Sequence, residues 1–357
     1  MNAGLGRQRL LLWVALALLG GVGVYTLGRA LPIALIDFEH YYAAGQALWQ
    51  RQNPYGAIEF FAPPWMALLL APLLALPART ASAAWVLLLV AATGGAAGLA
   101  TTWLRYPPAP RARLWVLVLA VLAPPALFVY ITGQVTGLVG PAALLAAWLV
   151  ATRCEQRHAG LTAGALWLAL LKPHVVALLL MLCGLELLRR RAWRPLALFV
   201  ALVAAGALFG FVVLPGWPAA LWQAWREGDY LGGPGLVAAG YRGLADLGVP
   251  GWLWLPLAGY AVYAWWRQGL TAYVVALALP VGLLLVPYHR SYDQVVLLLP
   301  LLFIFARTRA ASFSPIARWL ARGLALAALV MPLAGLSVAV PLIVAAGVLL
   351  VPPVTPD

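Results

Sequence analysis

The sequence carries little charge for its length. Acidic and basic residues make up 9% of its 357 residues, whereas soluble domains carry roughly 25%. Apolar residues make up 64% of the chain and recur in long runs. So few charges cannot cover an ordinary soluble fold, and the composition therefore predicts an all-α, polytopic transmembrane protein.

Cysteine is scarce, and nucleotide-binding motifs are missing. Cys154 lies in a basic loop and Cys183 in an apolar run, so we expect no disulfide between them. The sequence has neither a P-loop nor a dinucleotide fingerprint, and it lacks the paired ligands of a strong metal site. We therefore expect no cofactor and no metal ion.

The formal net charge is nevertheless +13. The basic residues form short clusters between apolar runs, as the positive-inside rule describes for cytoplasmic loops, so nucleic-acid binding is not expected. With those clusters inside, one membrane domain over residues 1–357 crosses about twelve times, beginning with an uncleaved signal-anchor span at 10–29. The first outer loop is then 30–79 and the second is 215–250.

Some apolar runs do not fit a simple span. The segment 62–77 is short and rich in proline, so we expect it to dip into the membrane and return. Residues 114–131 are predicted to form one span, and residues 160–188 to form two short spans separated at Lys172. Residues 307–322 are predicted to be an inner basic linker.

This topology gathers most of the polar side chains on the outer side, which indicates a wet cavity open to that face. Carboxylates there suit a general base or a sugar ligand, whereas lysine, arginine and histidine suit a phosphate. The outer residues are Asp37, Glu39, Glu59, Glu227, Asp229, Asp246, Asp293, Lys172, His174, His289, Arg290 and Gln134.

Asp37 is the first of these, and two interpretations stay open. It is either the N-cap of the helix that follows, which its residue type favours, or a general base at the membrane surface. That amphipathic helix is expected to lie on the membrane through an apolar face that includes Tyr41, Tyr42 and Trp49. Glu39 is the rival carboxylate and faces another side of the helix.

Two outer turns leave similar alternatives. Lys172 lies between two apolar runs and either has a functional role or extends to the interface. Gln134 lies in the tight turn TGQVTG and either binds a sugar or caps a helix end. PYHRSYDQ, at 287–294, is predicted to be a further outer loop. Its Arg290 either extends to the interface or forms a phosphate or sugar site, and His289 and Asp293 close to it favour the second.

The order of motifs resembles a known family. Asp37 is followed by YYAAGQAL, NPY and F-x-PP, and then by Gly-Gln, Leu-Lys-Pro and Tyr-x-Arg-x-Tyr-Asp. Over residues 30–305 this resembles the bacterial integral-membrane glycosyltransferases of family 87. The resemblance implies a helix bundle of GT-C type, with a re-entrant segment and an outer amphipathic helix.

The same resemblance implies an inverting transferase of the bacterial plasma membrane, active on the outer side. It would move a hexose, with mannose the expected sugar, from a polyprenyl-phosphate donor to an envelope lipid or glycan acceptor. Membrane lipids would surround the protein as further partners. Asp37 matches the catalytic position, and Lys172, Arg290 and His289 match positions near the donor phosphate. The other candidate substrate-binding residues are Glu39, Tyr41, Tyr42, Gln134, His174, Tyr288 and Asp293.

Two other classes of function remain as alternatives. A transporter or flippase for a lipid-linked sugar would place charges near the bilayer midplane and would contain an inverted repeat, which the sequence does not reveal. A non-catalytic membrane scaffold would leave the outer carboxylates without a common cavity. Whether Asp37, Lys172 and Arg290 come together separates these classes.

Overall fold

The structure, a computed structural model, describes residues 35–56, 58, 60–107, 109–227, 251–286, 289–309, 314–334, 336 and 339–351. Several predictions fall outside these residues: the span at 10–29, the acids Glu59, Asp229 and Asp246, and Tyr288. The side chain of Glu227 is outside them as well. The second outer loop is therefore described only as far as residue 227.

The described residues fold into α-helices joined by turns and by short 3-10 helices, with no strand in the described ranges. The α-helices are α1 (Ile36–Trp49), α2 (Met66–Leu74), α3 (Ala78–Trp103), α4 (Pro110–Val121), α5 (Pro124–Thr132), α6 (Thr136–Ala151), α7 (Ala159–Ala169), α8 (Pro173–Arg189), α9 (Trp193–Val213), α10 (Trp217–Glu227), α11 (Leu255–Gln268), α12 (Ala272–Leu285), α13 (Leu298–Arg307), α14 (Pro315–Val330) and α15 (Val340–Leu349). The 3-10 helices are Gly251–Trp254, Ser291–Leu297 and Met331–Ala334.

Helix α12 forms the centre of the bundle. Nearly all of its side chains are buried, and it packs against α8, α11, α13 and α15. Helix α6 is buried to a similar degree and packs against α3, α7 and α8. Because their side chains are buried against neighbouring helices on nearly all sides, these two helices form the core of the bundle.

Proline fixes where several helices begin. It occupies the first turn of α4, α5, α8, α11, α14 and α15. Its fixed φ suits that position, and the N–H that it lacks would have had no partner there. The start of α5 at Pro124 also breaks the segment predicted as a span at 114–131: α4 and α5 meet at 49° and form one span only as a bent pair.

Four of the described helices end on an arginine in the left-handed conformation. Arg51, Arg105, Arg153 and Arg191 follow α1, α3, α6 and α8, with φ of 57°, 50°, 59° and 52°. After α6, for example, Cys154 N–H donates to Leu149 O at 2.8 Å, five residues back. This is a Schellman ending, where glycine is the usual residue because it has no Cβ.

The apolar helices mark a membrane protein. Among the described residues, α3 and α9 are long and apolar enough to cross a membrane, and α4 with α5 is a third such unit if the bent pair is one span. Helices α6, α7, α12 and α15 are apolar but shorter. The predicted twelve crossings and the GT-C type of bundle stay predictions.

The shorter segments refine the predicted topology. Helix α2 covers most of 62–77 but has nine residues, so it rises about 14 Å and cannot cross a hydrocarbon core of about 30 Å. Residues 160–188 form two helices, α7 and α8, as predicted, although their crossings stay predictions. The inner linker at 307–322 is wrong in its second half, because α14 begins at Pro315.

Helix α1 packs on the bundle and not, as predicted, on the membrane with its apolar face. Phe38, Tyr41 and Leu48 are buried inside the protein. The Phe38 ring stacks on the buried Trp85 of α3, with 5.3 Å between ring centroids. The aromatic residues that suggested a surface helix therefore attach α1 to the protein.

The turn between α5 and α6 is the contact point for α1 and α3. Trp85 Nε1 donates to the carbonyl of Gly133 at 2.7 Å. Gly133 has a φ of 72°, and a Cβ there would lie 2.7 Å from Phe38 Cβ and 3.1 Å from Leu35 Cβ. Both the backbone conformation and the lack of space require glycine at this position.

We predict that Gly133→Ala lowers the free energy of unfolding by about 2 kcal/mol, because the added methyl group meets the start of α1. The measurement is the melting temperature of the protein in detergent. Gly184→Ala is the matched control, since nothing lies within 4 Å of its Cβ position inside α8. It should leave the melting temperature unchanged or raise it; equal effects of the two variants would contradict the prediction.

Candidate functional site

A buried ion pair joins two distant parts of the chain. Lys172 Nζ lies 2.6 Å from Asp293 Oδ1, and the side chains are 6% and 0% exposed. Thr136 Oγ1 donates to the same Oδ1 at 2.8 Å, and Lys172 Nζ donates to Thr136 Oγ1 at 3.2 Å. The other oxygen, Asp293 Oδ2, accepts from the backbone N–H of Arg290 at 2.9 Å. Each charge in this network is thus hydrogen-bonded, as burial requires.

This network lies where helices begin. Thr136 is the first residue of α6, and Lys172 directly precedes α8. Asp293 lies in the first turn of the 3-10 helix Ser291–Leu297. Helix N-termini carry partial positive charge and free N–H groups. The arrangement therefore gathers positive potential at one end of the bundle.

The position of Asp293 corrects the prediction of an outer loop at 287–294. Ser291, Tyr292, Asp293 and Gln294 are buried in the 3-10 helix, so half of that segment belongs to the core. The aromatic ring of Tyr292 lies under the ammonium group of Lys172, with 4.5 Å between Nζ and the ring centroid. Asp293 is therefore the partner of Lys172 and is closed to a solvent-borne ligand.

Asp37 is not the N-cap of α1. The helix begins at Ile36, and its N-cap is Leu35, which makes no side-chain cap. The Asp37 carboxyl is partly exposed and lies within electrostatic range of Lys172, Arg290 and His40. Burial raises the pKa of this carboxyl above its usual value, and the three positive groups oppose that rise.

Arg290 and two histidines lie at the same end of the bundle as Asp37 and Lys172. Arg290 is partly exposed, and its guanidinium lies 6.0 Å from the centroid of the Tyr292 ring. His289 is buried beside it, and His174 follows Lys172 by two residues in the first turn of α8. The structure thus places Asp37 within electrostatic range of Lys172 and Arg290, and their shared catalytic site stays a prediction.

The remaining candidates attach α1 to its neighbours or face away. Tyr41 OH donates to Gln134 Oε1 at 2.6 Å in a buried contact, so the amide oxygen of Gln134 is used inside the protein. Tyr42 OH donates to Leu76 O at 2.8 Å. Glu39 is exposed on α1. These contacts favour positioning roles for Tyr41, Tyr42 and Gln134.

The fixed charges of the site cancel. Asp37 and Asp293 contribute two negative charges, and Lys172 and Arg290 contribute two positive ones. Lys172 is neutralised by Asp293 at 2.6 Å, and Arg290 is a partly exposed cation of the same end. The N-termini of α6 and α8 add partial positive charge.

Four residues at the site end of the bundle were not among the site residues predicted from the sequence. Thr136 and Tyr292 contact Lys172, while Thr132 and His40 lie beside Asp37. His40 is three residues from Asp37 on α1, a spacing that puts two side chains on one helix face, so the sequence contained the information for this pair. The contacts of Thr136 and Tyr292 depend on the packing of distant segments.

We predict that Asp293→Ala destabilises the protein by about 3–5 kcal/mol, because it leaves the buried Lys172 ammonium without its counter-charge. A thermal melt in detergent measures the change. The double variant Lys172→Met with Asp293→Leu removes both charges and should melt above Asp293→Ala. A double variant that melts no higher than the single one would show that the unpaired charge is not the cause.

Comparison with known proteins agrees with the geometry. The family model described as glycosyltransferase family 87 matches residues 60–299, two thirds of the chain. The match includes Gln134, Lys172, Arg290 and Asp293 but begins after Asp37. Neither the curated proteins nor the solved structures give a match. With the apolar helices, the family match identifies the chain as a membrane protein that belongs to glycosyltransferase family 87 and so uses a sugar donor and an acceptor.

Proposed function

We propose that the protein transfers a hexose, with mannose as the expected sugar, from a polyprenyl-phosphate donor to a lipid or glycan acceptor of the cell envelope. One observation carries the proposal. A partly exposed carboxyl, Asp37, lies beside the cations Lys172 and Arg290 at the end of a bundle of apolar helices. A base and an anion site side by side are what such a transfer needs.

The donor phosphate would bind at Arg290. Arg290 is partly exposed, and its backbone N–H is held by Asp293. Lys172 is buried and hydrogen-bonded to Asp293 and Thr136. Lys172 would act through its charge and by holding the ends of α6 and α8 in place. His289 and His174, at the same end, are proposed to complete the phosphate site when the donor is bound.

The chemistry would invert the configuration of the sugar. Asp37 removes the proton from the acceptor hydroxyl, and the acceptor oxygen forms a bond with the anomeric carbon. The bond between that carbon and the phosphate oxygen breaks, and the electron pair leaves with the polyprenyl phosphate. Arg290 and the helix N-termini stabilise the charge that develops on this leaving group.

The distribution of arginines supports an outer location for the site. Helices α6 and α8 both begin at the site, and their far ends carry Arg153, Arg189, Arg190 and Arg191. By the positive-inside rule that far end is cytoplasmic. The site would then face the outer side of the plasma membrane, where lipid-linked donors are accessible.

We predict that Asp37→Asn lowers the transfer rate by roughly 10²–10⁴-fold, because the amide cannot accept the proton. The assay measures transfer of labelled sugar from a polyprenyl-phosphate donor to a membrane extract. Glu39→Gln, at the rival carboxylate on the exposed face of the same helix, is the comparison and should lower the rate far less than Asp37→Asn. Full turnover by Asp37→Asn would reject the assigned base, and sugar movement across vesicles without transfer would favour the flippase alternative.

The pH dependence of kcat/KM offers a separate prediction. The base must be ionised, and burial raises the pKa of Asp37, so activity should rise with pH along a limb centred above the usual carboxyl value of about 4. Arg290→Gln removes a positive charge that favours the carboxylate, so this limb should move to higher pH while the rate falls. A limb that stays in place in Arg290→Gln would contradict the contact between the two groups.

A further inference from the structure

The far end of the bundle, opposite the candidate site, carries an exposed group of arginines. We define the basic end patch as Arg153, Arg157, Arg191, Arg194 and Arg267, all of which are exposed. They lie at or next to the ends of α6, α7, α8, α9 and α11, with Arg194 in the first turn of α9 and Arg267 in the last turn of α11. Helix α8, with 17 residues, separates the patch from Lys172 by about 25 Å.

A buried acid at this end organises the helices that carry the patch. Glu186 is fully buried, and its oxygens lie 2.6 Å from Arg190 Nε and 2.8 Å from Arg189 Nη2. Trp265 Nε1 of α11 donates to the same carboxylate at 2.8 Å. Arg190 Nη1 also donates to Val150 O of α6 at 2.6 Å. This network brings the ends of α6, α8 and α11 together.

The acids at this end are already paired with arginines of the same network. Arg189 and Arg190 pair with Glu186, and Arg190 also lies 3.6 Å from the buried Glu155. The other acids with described side chains, Asp37, Glu39 and Asp293, belong to the opposite end. Within the described part of the chain, the basic end patch is therefore an excess of positive charge on the surface.

Two arginines of the patch can be exchanged for glycine without backbone strain, which allows a test of their charge. Arg153 and Arg191 hold the left-handed conformation of a Schellman ending, with φ of 59° and 52°. Glycine takes this conformation without the steric cost that a Cβ brings. Two residues of the patch thus occupy positions where stability alone would favour glycine.

Exposed tryptophans next to the patch indicate the depth at which it lies. Trp193, between Arg191 and Arg194, is 60% exposed, and Trp266, beside Arg267, is 67% exposed. Tryptophan on the outside of a membrane protein collects at the level of the lipid headgroups. A basic surface at that depth lies level with the phosphate groups of the lipids, which are therefore its expected binding partners.

We propose that the basic end patch binds the headgroups of anionic phospholipids in the leaflet opposite the candidate site. The arginines supply charge and paired N–H donors for the lipid phosphate, and the tryptophans rest at the interface. The binding anchors the far ends of α6, α8 and α11 to one leaflet. It is independent of the proposed transfer reaction.

The test uses the full chain in mixed detergent micelles and follows its melting temperature and the lipid that copurifies with it. Phosphatidylglycerol should raise the melting temperature of the wild type, whereas phosphatidylcholine or inorganic phosphate should not. In the double variant Arg153→Gly with Arg191→Gly, the midpoint of the phosphatidylglycerol effect should move to concentrations roughly tenfold higher or more. Without lipid, this variant should melt at the wild-type temperature or above it.

Arg51→Gly is the matched control, because Arg51 ends α1 in the same conformation at the other end of the bundle. It should keep the wild-type response to phosphatidylglycerol. Arg157→Gln with Arg194→Gln tests the patch without a change at a left-handed residue and should weaken the response as well. An equal response to phosphatidylcholine, an effect of inorganic phosphate alone, or an unchanged midpoint in both double variants would overturn the proposal.

Discussion

The contact among Lys172, Asp293 and Thr136 is the interaction on which the candidate site depends. It joins the start of α6, the start of α8 and a 3-10 helix that lies 121 residues after Lys172. A buried lysine and a buried aspartate are each costly alone and tolerable together. Because Asp293 also accepts from the backbone N–H of Arg290, the pair fixes the segment that carries this second, partly exposed cation.

Asp37 reaches this cluster through apolar packing. Helix α1 has no capping side chain, and its position depends on the stack of Phe38 on Trp85 and on the tight turn at Gly133. The hydrogen bond from Tyr41 to Gln134 secures the same helix. An ion pair thus holds one side of the site and an aromatic contact holds the other, so the base and the cations are placed by separate means.

The all-helical class of fold could be predicted from the sequence, whereas the contacts within the candidate site could not. Apolar runs without charge predict α3 and α9, and the sparse polar residues indicate that Asp37, Lys172 and Arg290 share a face. The pairing of Lys172 with Asp293 depends on how distant segments pack, which composition and spacing do not contain. The break between α4 and α5 at Pro124 could have been predicted, since two prolines in succession rarely continue a helix.

The distance in sequence between Lys172 and Asp293 has a consequence for how the protein is made. Chains enter the membrane from the N-terminus as they are synthesised, so Lys172 leaves the ribosome 121 residues before its counter-ion exists. During that interval the ammonium group has to stay at the water interface or remain in the insertion machinery. The buried pair of Lys172 and Asp293 can therefore form only after the Ser291–Leu297 segment has been translated, so the candidate site is completed late in synthesis.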